Sequence, residues 1–229
     1  MLLSKQVGDY QIKARLGGGR YGVCYLAADA LGNFVVLKRF RPGMLRKNRE
    51  KNHYEAVILS GLKHPAVPEL LGVLNMPAGY FFVIEYKPGM TLEKLLFSQK
   101  KIFSRQDVLR IGNGLLEVME YLHEKNVVHR DISIANVLDD GKTVSLIDFG
   151  LARYADKGGI SKNLDYSCFG EVLLYLLYSS YHGKGKGAWY DELTLTEEQK
   201  KYLKRLMGLG IPFEDTRQVH IEFLQCFGG

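Results

Sequence analysis

His129-Arg130-Asp131-Ile132-Ser133-Ile134-Ala135-Asn136, followed at 148 by Asp148-Phe149-Gly150, is the stretch on which the reading of this chain turns. It brings two carboxylates and an amide into one short interval. Phosphoryl transfer asks a protein for a carboxylate that orients a hydroxyl and for hard oxygen donors to a divalent cation. Magnesium takes oxygen ligands and borrows the remainder from substrate phosphates. Asp131 fits the first role, and Asn136 and Asp148 fit the second. Two ordinary Asp/Asn turns are the alternative, and the order of segments upstream argues against it.

Gly17-Gly18-Gly19-Arg20-Tyr21-Gly22 lies first in that order. Gly17, Gly19 and Gly22 have the G-x-G-x-x-G spacing. Glycine lacks a side chain and reaches positive φ cheaply, so backbone N–H groups can converge on phosphate. Dinucleotide-binding folds share the spacing but open a helix after the glycines. Here Val23-Cys24-Tyr25-Leu26-Ala27 continues as a strand. Lys38 then ends the apolar strand Phe34-Val35-Val36-Leu37-Lys38. A buried lysine must be paired, and Glu55, on the following helical pattern, is the candidate partner. Otherwise the ammonium reaches water along its own stem.

Strands are expected at residues 7–15, 22–28, 34–38, 70–74 and 80–86, with Leu31-Gly32-Asn33 as a turn. A helix through Tyr54, Val57 and Ile58 ends before His64-Pro65. Past Lys87-Pro88-Gly89 the pattern becomes helical. Thr91 is placed to cap residues 92–97, and Ser104 a long helix with Val108, Ile111, Leu115, Val118, Met119 and Leu122 at helical spacing. Residues 137–138 and 144–147 read as a hairpin around Asp139-Asp140-Gly141. Residues 168–178 form a buried helix. Residues 183–187 are a loop. A helix from Thr196 carries Leu203, Leu206 and Met207 on one face, and a last helix ends near Phe227. This gives an α+β, bilobal architecture: a small antiparallel-sheet lobe with one main helix at residues 1–86, and a larger, mostly helical lobe at 87–229. The hinge falls near residues 85–89, and the two lobes form one domain with its ligand in the cleft.

The 229 residues are 46% hydrophobic, enough for a packed core. Cys24, Cys168 and Cys226 lack paired spacing, which argues against disulfides and zinc and suits a reducing cytoplasm. His53, His64, His123, His182 and His220 show no ligand spacing either. The opening residues are too short for a signal peptide, and the apolar run near Val172 falls short of a membrane span. The net charge of +6 gathers at residues 38–51, with Arg39, Arg41, Arg46, Lys47, Arg49 and Lys51. That is a solvated face or a site for an acidic partner. Nucleic acid is not expected, since basic and aromatic residues do not interleave.

In the order of these segments the whole chain resembles the eukaryotic-type protein kinases, and its shortness the minimal serine/threonine kinases of firmicutes. The resemblance implies an ATP-dependent kinase acting on a protein serine or threonine hydroxyl, itself included, with Mg2+ or alternatively Mn2+. By that resemblance Gly17, Gly19 and Gly22 cover the phosphates. Lys38 anchors them, oriented by Glu55. Leu16, Cys24, Val36 and Leu138 enclose adenine, and Glu85 to Lys87 form the hinge. Thr91 lies near the ribose, and Asp131, Asn136 and Asp148 carry out the transfer. His129 scaffolds the loop, and Asp165-Tyr166-Ser167-Cys168-Phe169-Gly170 corresponds to the D-x-W-S-x-G start of the central helix.

The chain also departs from the family pattern. Ser133 stands where serine/threonine kinases carry a lysine, and Ala135 where tyrosine kinases carry an arginine. Arg153 or Lys157 is a candidate substitute. Between Asp148 and Asp165 there is no Ala-Pro-Glu motif and no threonine. Tyr154 and Ser161 are the phosphorylation candidates, and the switch normally clasped by Arg130 is expected to be absent or rebuilt. A nucleotide-binding pseudokinase or interaction module, an ATPase, and a small-molecule kinase therefore remain alternatives. The substrate, any activating partner and the oligomeric state are open.

Overall fold

The structure, a computed structural model, describes residues 6–19, 22–41, 49–155, 161–183 and 185–229, apart from the side chains of 49–53. Residues 1–5, Arg20, Tyr21, Arg46, Lys47, Lys157 and Lys184, with the side chains of Arg49, Lys51 and His53, lie outside what is described. The chain divides into two compact units, Met1–Lys87 and Pro88–Gly229.

The first unit is a six-stranded antiparallel sheet with one helix. Its strands are β1 (Gln6–Val7), β2 (Tyr10–Gly18), β3 (Gly22–Ala28), β4 (Phe34–Phe40), β5 (Leu70–Met76) and β6 (Gly79–Glu85), in the order β1-β2-β3-β4-β6-β5. The helix is α1 (Arg49–Ser60). Gly32, at φ +88°, turns the β3–β4 connection, and Asp29 Oδ1 accepts the Leu31 and Asn33 N–H groups there. Alternation along the strands loads both sheet faces. Val7, Ala27, Val35, Leu37, Phe81 and Val83 cluster on one. Phe40, Phe82 and Ile84 cluster on the other, with Val36, Leu70, Tyr80 and Ala56 of α1 against them.

Several strand boundaries differ from the sequence reading. Gly8, at φ +56°, breaks the first expected strand into β1 and β2. Strand β2 then runs on through Gly17 and Gly18, which pair with Cys24 and Val23. The glycines therefore form the end of a hairpin ladder rather than a loop after it. Strand β5 also extends past 74 to Met76.

In the second unit, Thr91 accepts the Lys94 N–H at 3.2 Å as expected, but the turn it caps, Lys94–Ser98, is wound as a π-helix. The long helix α2 (Arg105–Glu124) opens with a reciprocal Ser104–Asp107 capping box. Its apolar stripe is buried, and a side chain at Gly112 would collide with the Phe223 ring. Helix α3 (Asn163–Tyr178) starts earlier than Cys168. Helix α4 (Trp189–Glu192) is a short turn the sequence did not signal. Helix α5 (Glu197–Leu206) buries Gln199, Tyr202, Leu203 and Leu206, while Met207 falls at its C-cap. Helix α6 (Thr216–Phe227), capped by Asp215, ends the fold.

Short strands complete this unit. The expected hairpin is present as β9 (Val137–Asp139) and β10 (Val144–Leu146). Strand β7 (Met90–Thr91) joins it, and β8 (Val127–Val128) pairs with β11 (Arg153–Tyr154). Two-residue strands leave no periodicity to read, so the sequence gives no sign of either pairing. Among the described residues no helix is long and apolar enough to cross a membrane.

Candidate active site

Register places the candidates of the first unit. Gly17 lies opposite Cys24, Cys24 opposite Lys38, and Lys38 opposite Phe82. Directly opposed residues of an antiparallel pair share a face, so Gly17, Cys24 and Lys38 share one, with Val36 two residues along. Leu16 sits at a register break between Arg15 and Gly17 and is exposed. From α1, Glu55 reaches the same face. Its Oε1 accepts from Lys38 Nζ at 2.6 Å, with the two residues 2% and 7% exposed. A buried pair of this kind stabilises little once desolvation is counted. What it does is fix an ammonium at one point of the sheet. Gly22 is required by packing, because a Cβ there would strike the Arg39 carbonyl, whereas Gly17 and Gly19 face open space. Lys87 Nζ donates to Glu85 Oε1 at 2.7 Å and to the Pro65 carbonyl at 2.8 Å, which ties the chain just before the boundary between the units.

In the second unit, Asp131, Asn136 and Asp148 are organised by backbone. Arg130 is held at φ +68°, a region residues other than glycine rarely adopt. The Asp165 carboxylate pins that conformation, accepting the His129 N–H at 2.8 Å and the Arg130 N–H at 2.7 Å. Asp131 N–H donates to His129 Nδ1 at 3.3 Å. The fully buried His129 ring stands edge-on to Phe149 at 4.7 Å. Burial pushes its pKa below the ordinary 6.5, with the Asp165, Asp148 and Asp131 charges opposing that shift, so the ring is held neutral.

Asn136 Nδ2 donates both hydrogens to Asp131, to its carbonyl at 2.9 Å and to its Oδ2 at 2.8 Å. The Asn136 amide therefore offers oxygen, and not nitrogen, to a cation. Ile147 N–H donates to the Asn136 carbonyl at 2.9 Å, which ties the loop to the end of β10. Asp148 adopts the left-handed conformation, φ 63° and ψ 79°, and accepts from Gly150 N–H at 3.3 Å while Phe149 is buried beside it. An amide oxygen and a carboxylate are the hard donors that magnesium takes. Thr91 and Leu138 are direct partners in the β7–β9 pairing.

The departures also have definite places. Ser133 contributes its carbonyl to the Asn136 N–H at 2.9 Å and supplies no cation. Arg153 donates to the Ala152 carbonyl, and Arg130 Nη1 to the Leu151 carbonyl at 3.5 Å. Tyr154 is exposed on β11, and Ser161 Oγ accepts the Asn163 N–H at the start of α3. Burial pushes the Cys168 thiol up to about 11, with Asp165, Glu171 and Asp131 adding to the effect, which favours the thiol over the thiolate. A surface cavity of about 810 Å³ lined by Phe97, Ile102, Glu171 and Tyr175 contains none of the candidate residues.

Sequence reasoning assigned no role to His123. It is buried, with Nε2 3.0 Å from Asp165 Oδ2 and Nδ1 2.6 Å from Thr216 Oγ1. Its partners are a carboxylate and a hydroxyl 42 and 93 residues away, which ligand spacing in the sequence does not reveal.

Comparison with known proteins identifies the family. The family described as "Protein kinase domain" matches residues 10–168. The probable serine/threonine-protein kinase YbdM of Bacillus subtilis is 36% identical over 221 residues, covering 92% of this chain and 86% of its own length. Serine/threonine-protein kinase C of Synechocystis is 33% identical over 157 residues, covering 63% of this chain and 29% of its own. Mouse tyrosine-protein kinase ABL2 is 32% identical over 148 residues, covering 63% and 12%. The chain thus spans most of the first relative and less than a third of the other two.

Proposed function

The chain belongs to the protein kinase family, and on that premise we propose that it transfers the γ-phosphoryl group of ATP to a serine or threonine hydroxyl of a protein, its own chain included. The buried Lys38–Glu55 pair carries the reading, because nothing in packing calls for a charged pair there. Lys38 holds the nucleotide phosphates and Glu55 holds Lys38. Gly17, Gly19 and Gly22 let backbone approach the phosphates. Leu16, Cys24, Val36 and Leu138 contact adenine, Glu85 and Lys87 present hinge backbone, and Thr91 serves the ribose. Asp131 orients the acceptor hydroxyl and takes its proton as the new P–O bond forms. Asn136 and Asp148 hold magnesium, or manganese in its place. The bound ion screens the charge of the phosphate oxygens and aligns them. The two units act as one catalytic domain, and Cys24, Cys168 and Cys226, none of them in a disulfide, suit a reducing cytosol.

Ser133 favours a second reading, a nucleotide-binding module without transfer, because one cation that stabilises the transition state is missing. Incubation with γ-labelled ATP and magnesium, with and without a generic protein acceptor, separates the two. Label on this chain or on the acceptor supports transfer. ADP release with no labelled protein, or binding with no product, overturns it.

A further inference from the structure

We propose that Thr216, on the last helix, is a positioning residue for the Asp131 loop, acting through His123 and Asp165. The proposal rests on the catalytic reading of Asp131 given above. Thr216 is almost fully buried, lies outside residues 10–168 matched by the family, and belongs to no recognised motif.

Four buried groups form one line. Tyr166 Oη is 3.0 Å from Thr216 Oγ1. Thr216 Oγ1 is 2.6 Å from His123 Nδ1. His123 Nε2 is 3.0 Å from Asp165 Oδ2. Asp165 Oδ2 also accepts the His129 N–H, and Oδ1 the Arg130 N–H. A carboxylate only accepts, so Nε2 donates to Asp165, and in the tautomer that carries its hydrogen there Nδ1 is an acceptor. Thr216 O–H is the donor beside it, and the Thr216 oxygen then accepts from Tyr166 O–H. Every group is satisfied in a single direction, running from Tyr166 through Thr216 and His123 to Asp165. Chains of this kind strengthen along their length in a dry interior.

The position of Thr216 separates this role from an ordinary structural one. It is the first residue of α6, but Asp215 supplies the cap, accepting the Gln218 N–H at 2.8 Å. Removing the Thr216 hydroxyl leaves the helix capped and deprives His123 Nδ1 of its donor. A buried acceptor without a partner is costly. The His123 ring is then free to tilt away from Asp165, and Asp165 is what holds Arg130 at positive φ immediately before Asp131.

The test compares Thr216→Val, Thr216→Ser and Tyr166→Phe with the unmodified full-length chain, and includes Asp131→Asn as a reference. In steady-state phosphoryl transfer, Thr216→Val should lower kcat about tenfold with KM for ATP within about twofold. Thr216→Ser should restore it, and Tyr166→Phe should give a smaller loss. Hydrogen exchange at the His129 and Arg130 amides should speed up about tenfold in Thr216→Val and return toward the original rate in Thr216→Ser. That second readout needs no turnover and remains available if the chain proves inactive. Unchanged amide exchange in Thr216→Val overturns the proposal, as does a Thr216→Ser variant as impaired as the valine. If Thr216→Val does not fold, Tyr166→Phe decides by the same amides. Full activity in Asp131→Asn would instead sink the catalytic reading while leaving the exchange result to judge the network.

Discussion

In the first unit, Gly17 and Gly19 have open space where a Cβ would stand, among the described residues, and beyond the strand ladder Gly19 N–H donates to the Gly22 carbonyl at 2.9 Å. In the second unit, Arg130 holds an unfavourable conformation because a buried carboxylate grips two successive amides. One segment is shaped by what it leaves out and the other by what surrounds it. Under the proposed function, a phosphate cover that admits and releases a nucleotide gains from being lightly held, and a carboxylate that meets one hydroxyl in one orientation gains from being fixed, since misplacement by an ångström is expensive in rate.

The largest effects should come from the fixed side. Asp148→Asn should reduce metal-dependent turnover to assay background while circular dichroism stays native. Asp131→Asn should cost about 10² to 10⁴ in kcat, the range for a positioned acid–base group. Wild-type turnover in either variant would leave the rigid loop without its purpose. Lys38→Ala should follow. Besides impairing ATP use, it removes the cation at 2.6 Å from the buried Glu55 carboxylate, and calorimetry should show destabilisation of about 3–5 kcal/mol. A variant of unchanged stability would mean the pair is solvated.

The lightly held side should show a split. Gly22→Ala should destabilise by about 1–3 kcal/mol, since its Cβ meets the Arg39 carbonyl. Gly17→Ala and Gly19→Ala should change stability by less than about 0.5 kcal/mol while raising KM for ATP. Equal thermal shifts in all three would erase the contrast. The smallest effect is in pH. His129 has a lower pKa folded than unfolded, so the unfolded chain binds the extra proton. Stability is fully present above pH 6.5 and should fall as pH drops from there toward the folded value. Denaturant titrations of His129→Phe should show a flatter pH slope, and an equal slope would assign the effect to other groups.

Much of this was legible in the sequence, for identifiable reasons. Lys38 and Glu55 could be paired because a lysine ending an apolar strand needs a partner and the next helix offered an acid. Ser104 and Thr196 could be placed at helix starts because a hydroxyl residue before a helical pattern is a natural cap, and both close capping boxes in the structure. The glycine segment was recognised, but its backbone was read as a loop when it continues a ladder, since spacing says nothing about register. The pairings β7–β9 and β8–β11 are too short to leave a period. The line from Tyr166 to Asp165 was hidden for a different reason. Thr216 stands 93 residues from His123 and has no neighbour in sequence that hints at a hydroxyl's use.

The interval after Asp148 has a further consequence. Strand β11 fastens Arg153 and Tyr154 to Val127 and Val128, and Ala155 N–H donates to the Asn126 carbonyl at 2.8 Å. Helix α3 resumes the fold at Asn163. Seven positions separate Ala155 from Asn163, at most about 25 Å of chain. Under the proposed transfer to protein hydroxyls, so short an interval supplies few side chains for reading an acceptor's sequence, and selectivity would be drawn from elsewhere in the chain or from co-localisation with the acceptor.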